Sequence, residues 1–408
     1  MQTIDKHSEE ETISREGHGP WRTVVLPSLF LMVAMFNLTL IVAGLKELIV
    51  DDLGGTTRDA SLFFSIEMAA YILFAPLCGL LSDRWGKRRP LIFVGFLASG
   101  VLYLSYLYVE TVSALLAIRF LQGAFSVMGW STLMAMVLDQ PDEKRRGRFM
   151  GIMGACLIFG ISMGAPIGGV ISREMGIRAP LQVAGWLFMI LAVGSLFLPA
   201  SSSLRKQVGM GDIFKTLIES PRLLFPFAFQ FVDRYTVGFF VILFPQYLAS
   251  LGVEDPASRG KYLAFFLLPF AFLQYFTGRL SERVGPYLPL LLGSLVYGIV
   301  LCFVGYSNLF ALWWVMALLG VLASVMFPPA ILLTAQLSDS ETRGSAMGGF
   351  NLAGSLGFAV GPLVGVWVLE RGGFGMAFVV SGGLEILVAL VAGVMLLRWR
   401  VADNASLR

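Results

Sequence analysis

Glu67, Arg119, Asp233 and Arg234 lie inside long apolar runs of this 408-residue chain. Charge is costly to hold in hydrocarbon, so ionisable groups kept there are functional candidates by default. The chemistry open to them is proton binding and release, and recognition of a charged small molecule. Glu67 and Arg119 each sit about seven residues from the outer end of their runs, roughly 10 Å deep at 1.5 Å per residue. Equal depth makes them candidate partners. Either a proton taken up at Glu67 and tuned by Arg119 couples to a working cycle, or the two form a permanent pair that orients helices. Asp233 and Arg234 fall near the midplane of another run. Adjacent helix positions point about 100° apart, so the two cannot pair tightly with each other, and at least one is expected to face a cavity. Asp233 is the second candidate proton carrier and Arg234 the candidate contact for an anionic group, unless both serve as partners for other helices. Glu385, in the last run, is expected to hydrogen-bond inward or to hold a proton.

Uncharged polar groups add a second layer. Asn37, Gln274 and Asn351 fall at or near mid-depth of their runs, where they suit hydrogen bonds to a substrate or between helices equally. The runs around Asp233 and Gln274 are dense in aromatics, among them Phe231, Tyr235, Phe239, Phe240, Phe266 and Phe270. Such a set could wall an apolar substrate site, with Tyr235 as a contact, or face lipid. Other chemistries lack their parts. His7 and His18 both lie in the N-terminal tail, and Cys78, Cys156 and Cys302 are far apart in apolar runs, so no metal site or disulfide framework is expected. Gly160-Ile161-Ser162-Met163-Gly164 matches a hydrolase nucleophile pattern, but that pattern needs a strand-to-helix turn and a histidine base. The chain is read as a non-enzyme with no cofactor.

The elements that must hold these groups are transmembrane helices. Hydrophobic residues make up 56% of the chain and charged residues 14%, against about a quarter charged in soluble domains. Twelve apolar runs can be drawn, each long enough to span about 30 Å of hydrocarbon, and isolated spans must be helices because each backbone group needs a partner within its own segment. This predicts an all-α membrane protein of two six-helix bundles, 24–199 and 223–397. A cytoplasmic linker (200–222) would join them, between cytoplasmic tails at 1–23 and 398–408. With both ends inside, 21 of the 30 lysines and arginines fall in cytoplasmic segments and 7 in external loops, as the positive-inside rule requires. Basic clusters such as Lys144-Arg145-Arg146 are therefore topology determinants, and no nucleic-acid partner is expected. Ile213, Phe214, Leu217 and Ile218 in the linker are spaced for a short amphipathic helix on the inner surface.

A charged turn, Gly79-Leu80-Leu81-Ser82-Asp83-Arg84-Trp85-Gly86-Lys87-Arg88-Arg89, separates runs 2 and 3 and returns 199 residues later as Gly278-Arg279-Leu280-Ser281-Glu282-Arg283-Val284-Gly285. Arg146-Gly147 and Arg343-Gly344 repeat at a similar offset, as do two glycine stripes: Gly160, Gly164 and Gly168 beside Pro166, and Gly357, Gly361 and Gly365 beside Pro362. Such self-similarity marks two tandem copies of one membrane unit. Four-residue spacing puts each stripe on one helix face, suited to close helix packing or to a seam along which the halves slide.

These motifs resemble the major facilitator superfamily across nearly the whole chain. The turn at Gly79 to Arg89 is similar to that family's signature between spans 2 and 3. Arg119-Phe120-Leu121-Gln122-Gly123 resembles its R-x-x-Q-G signature in span 4, and Gly160 to Gly169 resembles the span 5 signature of many proton-coupled exporters, with Ala165 as an insertion in its usual form. The resemblance implies two bundles around a central cavity that opens alternately to each side. Spans 1, 4, 7 and 10 would line it, and spans 3, 6, 9 and 12 would face lipid. It implies a cytoplasmic latch of Gly79, Asp83, Arg84, Gly86 and Arg88, with Asp139 as partner and Gly278, Glu282 and Arg283 as the second copy. It links Arg119 to proton coupling; with the polar and charged groups read above, Asn37, Asp233, Arg234, Tyr235, Gln274 and Asn351, Arg119 is also a candidate for the substrate site. The expected activity is proton-driven export of a small amphipathic organic molecule by a monomer in the cell membrane, contacting only protons, substrate and lipid. Proton symport of a small organic anion is the alternative, and a non-transporting receptor or scaffold of the same fold is a rival from another class.

Overall fold

The structure is a computed structural model and describes residues 21–85, 87–138, 146–199, 209–339 and 342–406. It is almost wholly helical. The N-terminal bundle contains α1 (Leu26–Leu40), α2 (Thr57–Trp85), α3 (Arg89–Ser105), α4 (Val112–Leu138), α5 (Arg146–Met175) and α6 (Ala179–Ser195). The C-terminal bundle contains α7 (Leu224–Ser250), α8 (Pro256–Val284), α9 (Tyr287–Val304), α10 (Leu309–Gln336) and one helical run, Arg343–Ser406, that breaks at Gly373. Its two limbs are α11 (343–372) and α12 (374–406). Gly373 has φ 73° and ψ −179°, a backbone that only glycine adopts without strain. The turn between the last two spans is thus written into one residue. Twelve crossings put both ends of the described chain on one face, called here the terminal face; the other is the far face.

Exposed apolar stripes show what meets lipid. Trp186, Ile190 and Val193 on α6 recur at helical spacing, as do Leu288, Leu292, Val296 and Phe303 on α9 and Leu387, Leu390 and Val394 on α12. Helix α7 is the reverse, with 83% of its apolar window enclosed, as expected of a helix apolar on all sides.

The glycine stripes sit within each bundle. Side chains built at Gly160, Gly164 and Gly168 would strike the backbone of α1 at Met32, Phe36 and Leu40. Those at Gly357 and Gly361 would strike α7 at Phe231 and Tyr235, and one at Gly365 would strike the Phe239 ring. A sliding seam between the halves is therefore not where these stripes lie; they fix α5 to α1 and α11 to α7. We predict that Gly361→Val costs about 1–3 kcal/mol by overpacking, read as a lower apparent Tm of the purified protein. An unchanged Tm would show that α7 has room to yield.

Candidate functional site: two buried charge clusters and a far-face seal

In the N-terminal bundle the expected Glu67–Arg119 pair is formed. Arg119 Nη2 donates to Glu67 Oε2 at 2.5 Å, and the side chains are 0% and 1% exposed. Spacing supplies the rest of the cluster. Tyr71, one turn after Glu67 on α2, donates to Glu67 Oε1 at 3.0 Å. Gln122, one turn after Arg119 on α4, accepts from Arg119 Nη1 at 2.9 Å. Helix α3 adds Tyr103, whose hydroxyl accepts from the same nitrogen at 3.0 Å. Arg119 Nε donates to the Phe63 carbonyl at 3.4 Å, and the guanidinium lies 4.2 Å from the Phe63 ring centroid. A desolvated ion pair persists only when its remaining donors and acceptors are also met, and this one is wrapped accordingly. Tyr103 was not singled out from sequence, because nothing in the spacing of α3 ties it to α4.

Asn37 belongs to this scaffold. Its Nδ2 donates to the Ala184 carbonyl of α6 at 3.4 Å and its own carbonyl accepts from Tyr103 at 3.5 Å. The amide nitrogen expected to bind substrate holds α1 to α6, while the buried Oδ1 makes no hydrogen bond among the described residues. Arg119, likewise expected at the substrate site, has no exposed surface in this conformation.

The second cluster lies in the C-terminal bundle. Asp233 is 6% exposed and lines a narrow cleft with Phe229 and Gln230 of α7, Leu290 of α9 and Met326 and Phe327 of α10. Its Oδ2 is 3.6 Å from Arg234 Nε, within ion-pair range, but accepts no hydrogen bond among the described residues. The Arg234 guanidinium also lies 4.4 Å from the Phe327 ring centroid and 5.7 Å from that of Phe358. Gly354 makes room for it and for Gln230. Tyr235 is buried under α11 and stacks on Phe231. Gln274 is partly buried with Nε2 unpartnered, and Asn351 is exposed. A single chamber shared by Arg119, Asp233 and Arg234 is not formed in this conformation; the two clusters lie in separate bundles.

The bundles meet along α5–α8 and α2–α11. Ser162 Oγ lies 3.2 Å from the Leu267 carbonyl, Gly260 packs on Ala165 and Pro166, Gly169 on Pro256, and Phe64 on Phe358 at 5.9 Å between centroids. All of these lie from mid-membrane toward the far face. Seven residues nearer the termini on the same helix faces, Ala155 (from Ser162) and Asn351 (from Phe358) are exposed. The bundles therefore touch at the far face and part toward the terminal face.

An ion pair reinforces this closure. Arg259, at the start of α8 and 0% exposed, donates through Nη2 to Glu47 of the N-terminal bundle and to the Glu254 carbonyl at 2.9 Å. The two residues are 212 apart in the chain, and a pair between bundles leaves no local sequence pattern. Nearby, Arg173 Nη1 lies 3.8 Å from Asp255 Oδ2. Asp255 is also the N-cap of α8, accepting from the N–H of Ala257 and Ser258 at 3.1 Å each. Burial opposes its ionisation, but hydrogen bonds from the Ser258 hydroxyl and those two N–H groups, with Arg173, outweigh burial and hold its carboxyl below the usual range. A depressed folded value stabilises the fold above the unfolded value, near 3.9, and this contribution is lost as pH falls through the folded value. Asp255→Ala is therefore expected to lower stability by about 1 kcal/mol at neutral pH, with the difference from wild type shrinking as pH falls below 3.9. A gap that stays constant with pH would contradict the assignment.

At the terminal face, α2 continues as helix through Gly79, Asp83 and Arg84 to Trp85, so the charged turn between spans 2 and 3 is shorter than its composition suggests. Arg88 follows and is 2% exposed. Gly86 and Asp139 lie outside the described residues. Gly278, Glu282 and Arg283 occupy the last turns of α8, with Glu282 and Arg283 exposed.

Comparison with known proteins places this geometry in context. The family model described as Major Facilitator Superfamily matches residues 28–264 and 227–406. The human synaptic vesicular amine transporter is 26% identical over 349 residues, covering 83% of this chain and 66% of that protein. This chain thus spans about 66% of the length of that relative. Among solved structures, a bacterial homolog of the human lysosomal transporter Spinster superposes with a TM-score of 0.77 at 15% identity, covering 92% of this chain and 97% of that one. The human organic anion transporter MFSD10 superposes with a TM-score of 0.69 at 21% identity, covering 92% and 100%.

Proposed function

This chain belongs to the major facilitator superfamily, and on that premise we propose that it is a proton-coupled antiporter exporting a small amphipathic organic molecule that carries a basic amine. The observation that carries the reading is Asp233, a buried carboxylate whose Oδ2 accepts no hydrogen bond among the described residues and which lines a narrow gap between α7, α9 and α10 that is closed to water in this conformation. One carboxylate can be neutralised by a proton or by an ammonium group, and each displaces the other. A site that must be emptied of one cation to take the other exchanges them across the membrane when the bundles rock. The amine is supported by the named function of the vesicular relatives. Export follows from the coupling in this reading: with the terminal face cytoplasmic, as the positive-inside distribution favours, inward proton flow drives the exchanged amine outward. Glu67 and Arg119 act in this scheme as a lock. A proton on Glu67 would strand the buried guanidinium, and only a rearranged bundle would relieve it.

Uptake of an organic anion by symport would use Arg234. That guanidinium is already stacked on Phe327 and lies 3.6 Å from Asp233, so an incoming anion would compete with a resident carboxylate.

The test is flux in proteoliposomes with an acidic lumen, using a panel of fluorescent and radiolabelled organic amines. Wild-type protein is expected to accumulate at least one amine as the pH gradient discharges, and Asp233→Asn to lose gradient-driven accumulation. Gradient-driven movement of organic anions alone would overturn the reading in favour of symport, and an Asp233→Asn protein that accumulates amines fully would remove Asp233 from coupling.

A further inference from the structure

Two neighbouring rings on α2 face the two bundles. Phe63 and Phe64 are 1% and 2% exposed, and adjacent helix positions point about 100° apart, so they serve different partners. Phe63 shares a helix face with Glu67 and Tyr71 at four-residue spacing. It meets Arg119 twice: its carbonyl accepts from Arg119 Nε at 3.4 Å, and its ring centroid lies 4.2 Å from the guanidinium. Phe64 turns to the other bundle and packs on Phe358 of α11, with ring centroids 5.9 Å apart at 48°. Phe358 is seated in turn against α7, where Gly238 leaves room for it: a side chain built there would meet the Phe358 carbonyl oxygen and Cα. Its ring centroid lies 5.7 Å from the Arg234 guanidinium, and Arg234 Nε lies 3.6 Å from Asp233 Oδ2. A continuous run of contacts thus leads from Glu67–Arg119 through Phe63–Phe64 and Phe358 to Arg234–Asp233, crossing the seam once.

We propose that Phe64 and Phe358 are positioning residues for transport, whose contact ties far-face closure to the charge on Glu67 from one bundle and to the Asp233–Arg234 cluster from the other. With Glu67 ionised, Arg119 holds α2 at both Glu67 and Phe63, and Phe64 is presented to Phe358. With Glu67 neutral the ion pair is lost, and Arg119 keeps α2 only through the Phe63 carbonyl and ring. Helix α2 is then free to move against α4 and to take Phe64 off Phe358. From the other side, a cation that reaches Asp233 displaces Arg234, whose guanidinium lies by the Phe327 and Phe358 rings, so the same contact is disturbed. A contact biased from both ends couples them by its differential strength in the two states. The titratable and charged groups around Glu67 are Tyr71 on its own helix, Arg119 on α4, Tyr103 on α3 and Tyr106 just past it. The other charges of α2 are near its ends, at Arg58, Asp59, Asp83 and Arg84, with Glu47, Asp51 and Asp52 before its outer start. Across the seam α7 brings Asp233 and Arg234, and α11 carries charge only near its ends, at Arg343, Glu370 and Arg371. The use of this link in transport rests on the antiport reading above; the link between Glu67 and the seam does not.

The measurement is the distance between spin labels on opposite bundles at the far face, read by pulsed electron paramagnetic resonance over a range of pH in full-length protein in lipid. The labels sit on Glu110→Cys and Lys261→Cys, two exposed positions, in a background lacking Cys78, Cys156 and Cys302. On acidification the ratio of molecules open at the far face to closed ones is expected to rise about tenfold, which corresponds to about 1.4 kcal/mol. Phe64→Ala and Phe358→Ala should each cut that rise to about twofold or less, and combining them should add nothing, as for residues acting through one contact. A packing role alone would change the ratio equally at every pH and leave its rise intact. Glu67→Gln should hold the acid ratio at neutral pH. Should the alanine variants fail to fold, Phe64→Leu and Phe358→Leu, which lose the ring contact and keep apolar bulk, decide instead. A ratio that pH does not move overturns the proposal. So does a rise that persists in full in the Phe64 and Phe358 variants, and its loss in Glu47→Gln would assign the response to the outer ion pair. A Phe64-dependent response in a protein without gradient-driven flux leaves the link standing and removes the antiport reading.

Discussion

Glu67→Gln is expected to destabilise the protein by about 3–5 kcal/mol and to abolish proton-driven flux, because it leaves the Arg119 guanidinium as an uncompensated buried charge. The magnitude follows from enclosure: both side chains are at most 1% exposed, so water cannot replace the lost partner. Glutamine would still accept from Arg119 through its one oxygen and could donate its NH2 to the Tyr71 hydroxyl, so the loss of charge is largely separated from the loss of hydrogen bonding. The companion variant Arg119→Gln should be similarly costly, while the double variant Glu67→Gln/Arg119→Gln should recover a large part of the stability, since no net charge then remains. A double-mutant cycle on apparent Tm measures this directly. Additive losses would show that the pair contributes nothing beyond its separate packing. Recovered stability with flux still absent is the pattern expected of a coupling pair, whereas recovered flux would mark it as purely structural.

Arg259→Ala is the second large effect, and it should appear in conformation more than in folding. The Glu47–Arg259 pair joins the two bundles at the far face, with Arg173 and Asp255 beside it. A pair made in one state of a two-state element biases the equilibrium by its differential contribution, so removing it should populate the state open to the far face. In a background lacking Cys78, Cys156 and Cys302, a cysteine at Ser162 should be closed to a membrane-impermeant thiol reagent added at the far face. With Arg259→Ala the labelling rate should rise about tenfold, as a loss of about 1.4 kcal/mol of closure would produce. Glu47→Gln should act alike, and Glu47→Arg/Arg259→Glu should restore protection. Unchanged labelling in all of these variants would show that the seal rests on the α5–α8 and α2–α11 packing alone.

The depth of a charge along its span could be counted from sequence, which is why the Glu67–Arg119 pair was legible: two opposite charges at one depth in low dielectric find each other. The same counting could not show that Asn37 turns to Ala184, since the facing of an amide depends on how α1 and α6 are rotated. Nor could it show whether the glycine stripes lie within or between bundles, because a stripe names a face and leaves its partner open. Here each stripe meets its own bundle, while Ser162, Ala165 and Gly169, on another face of α5, form the seam.

Composition, the twelve apolar runs and the 199-residue repeat are enough by themselves to fix a duplicated helical membrane protein, because hydrocarbon leaves the backbone one local solution and lets charge reside only at ends or in pairs. Tertiary structure alone decided which bundle encloses each charge, that Arg259 reaches Glu47 across 212 residues, and that Glu385 faces inward to Ser294. Those outcomes depend on helix rotation and on which face is closed, and a helix contributes the same sequence pattern in either state.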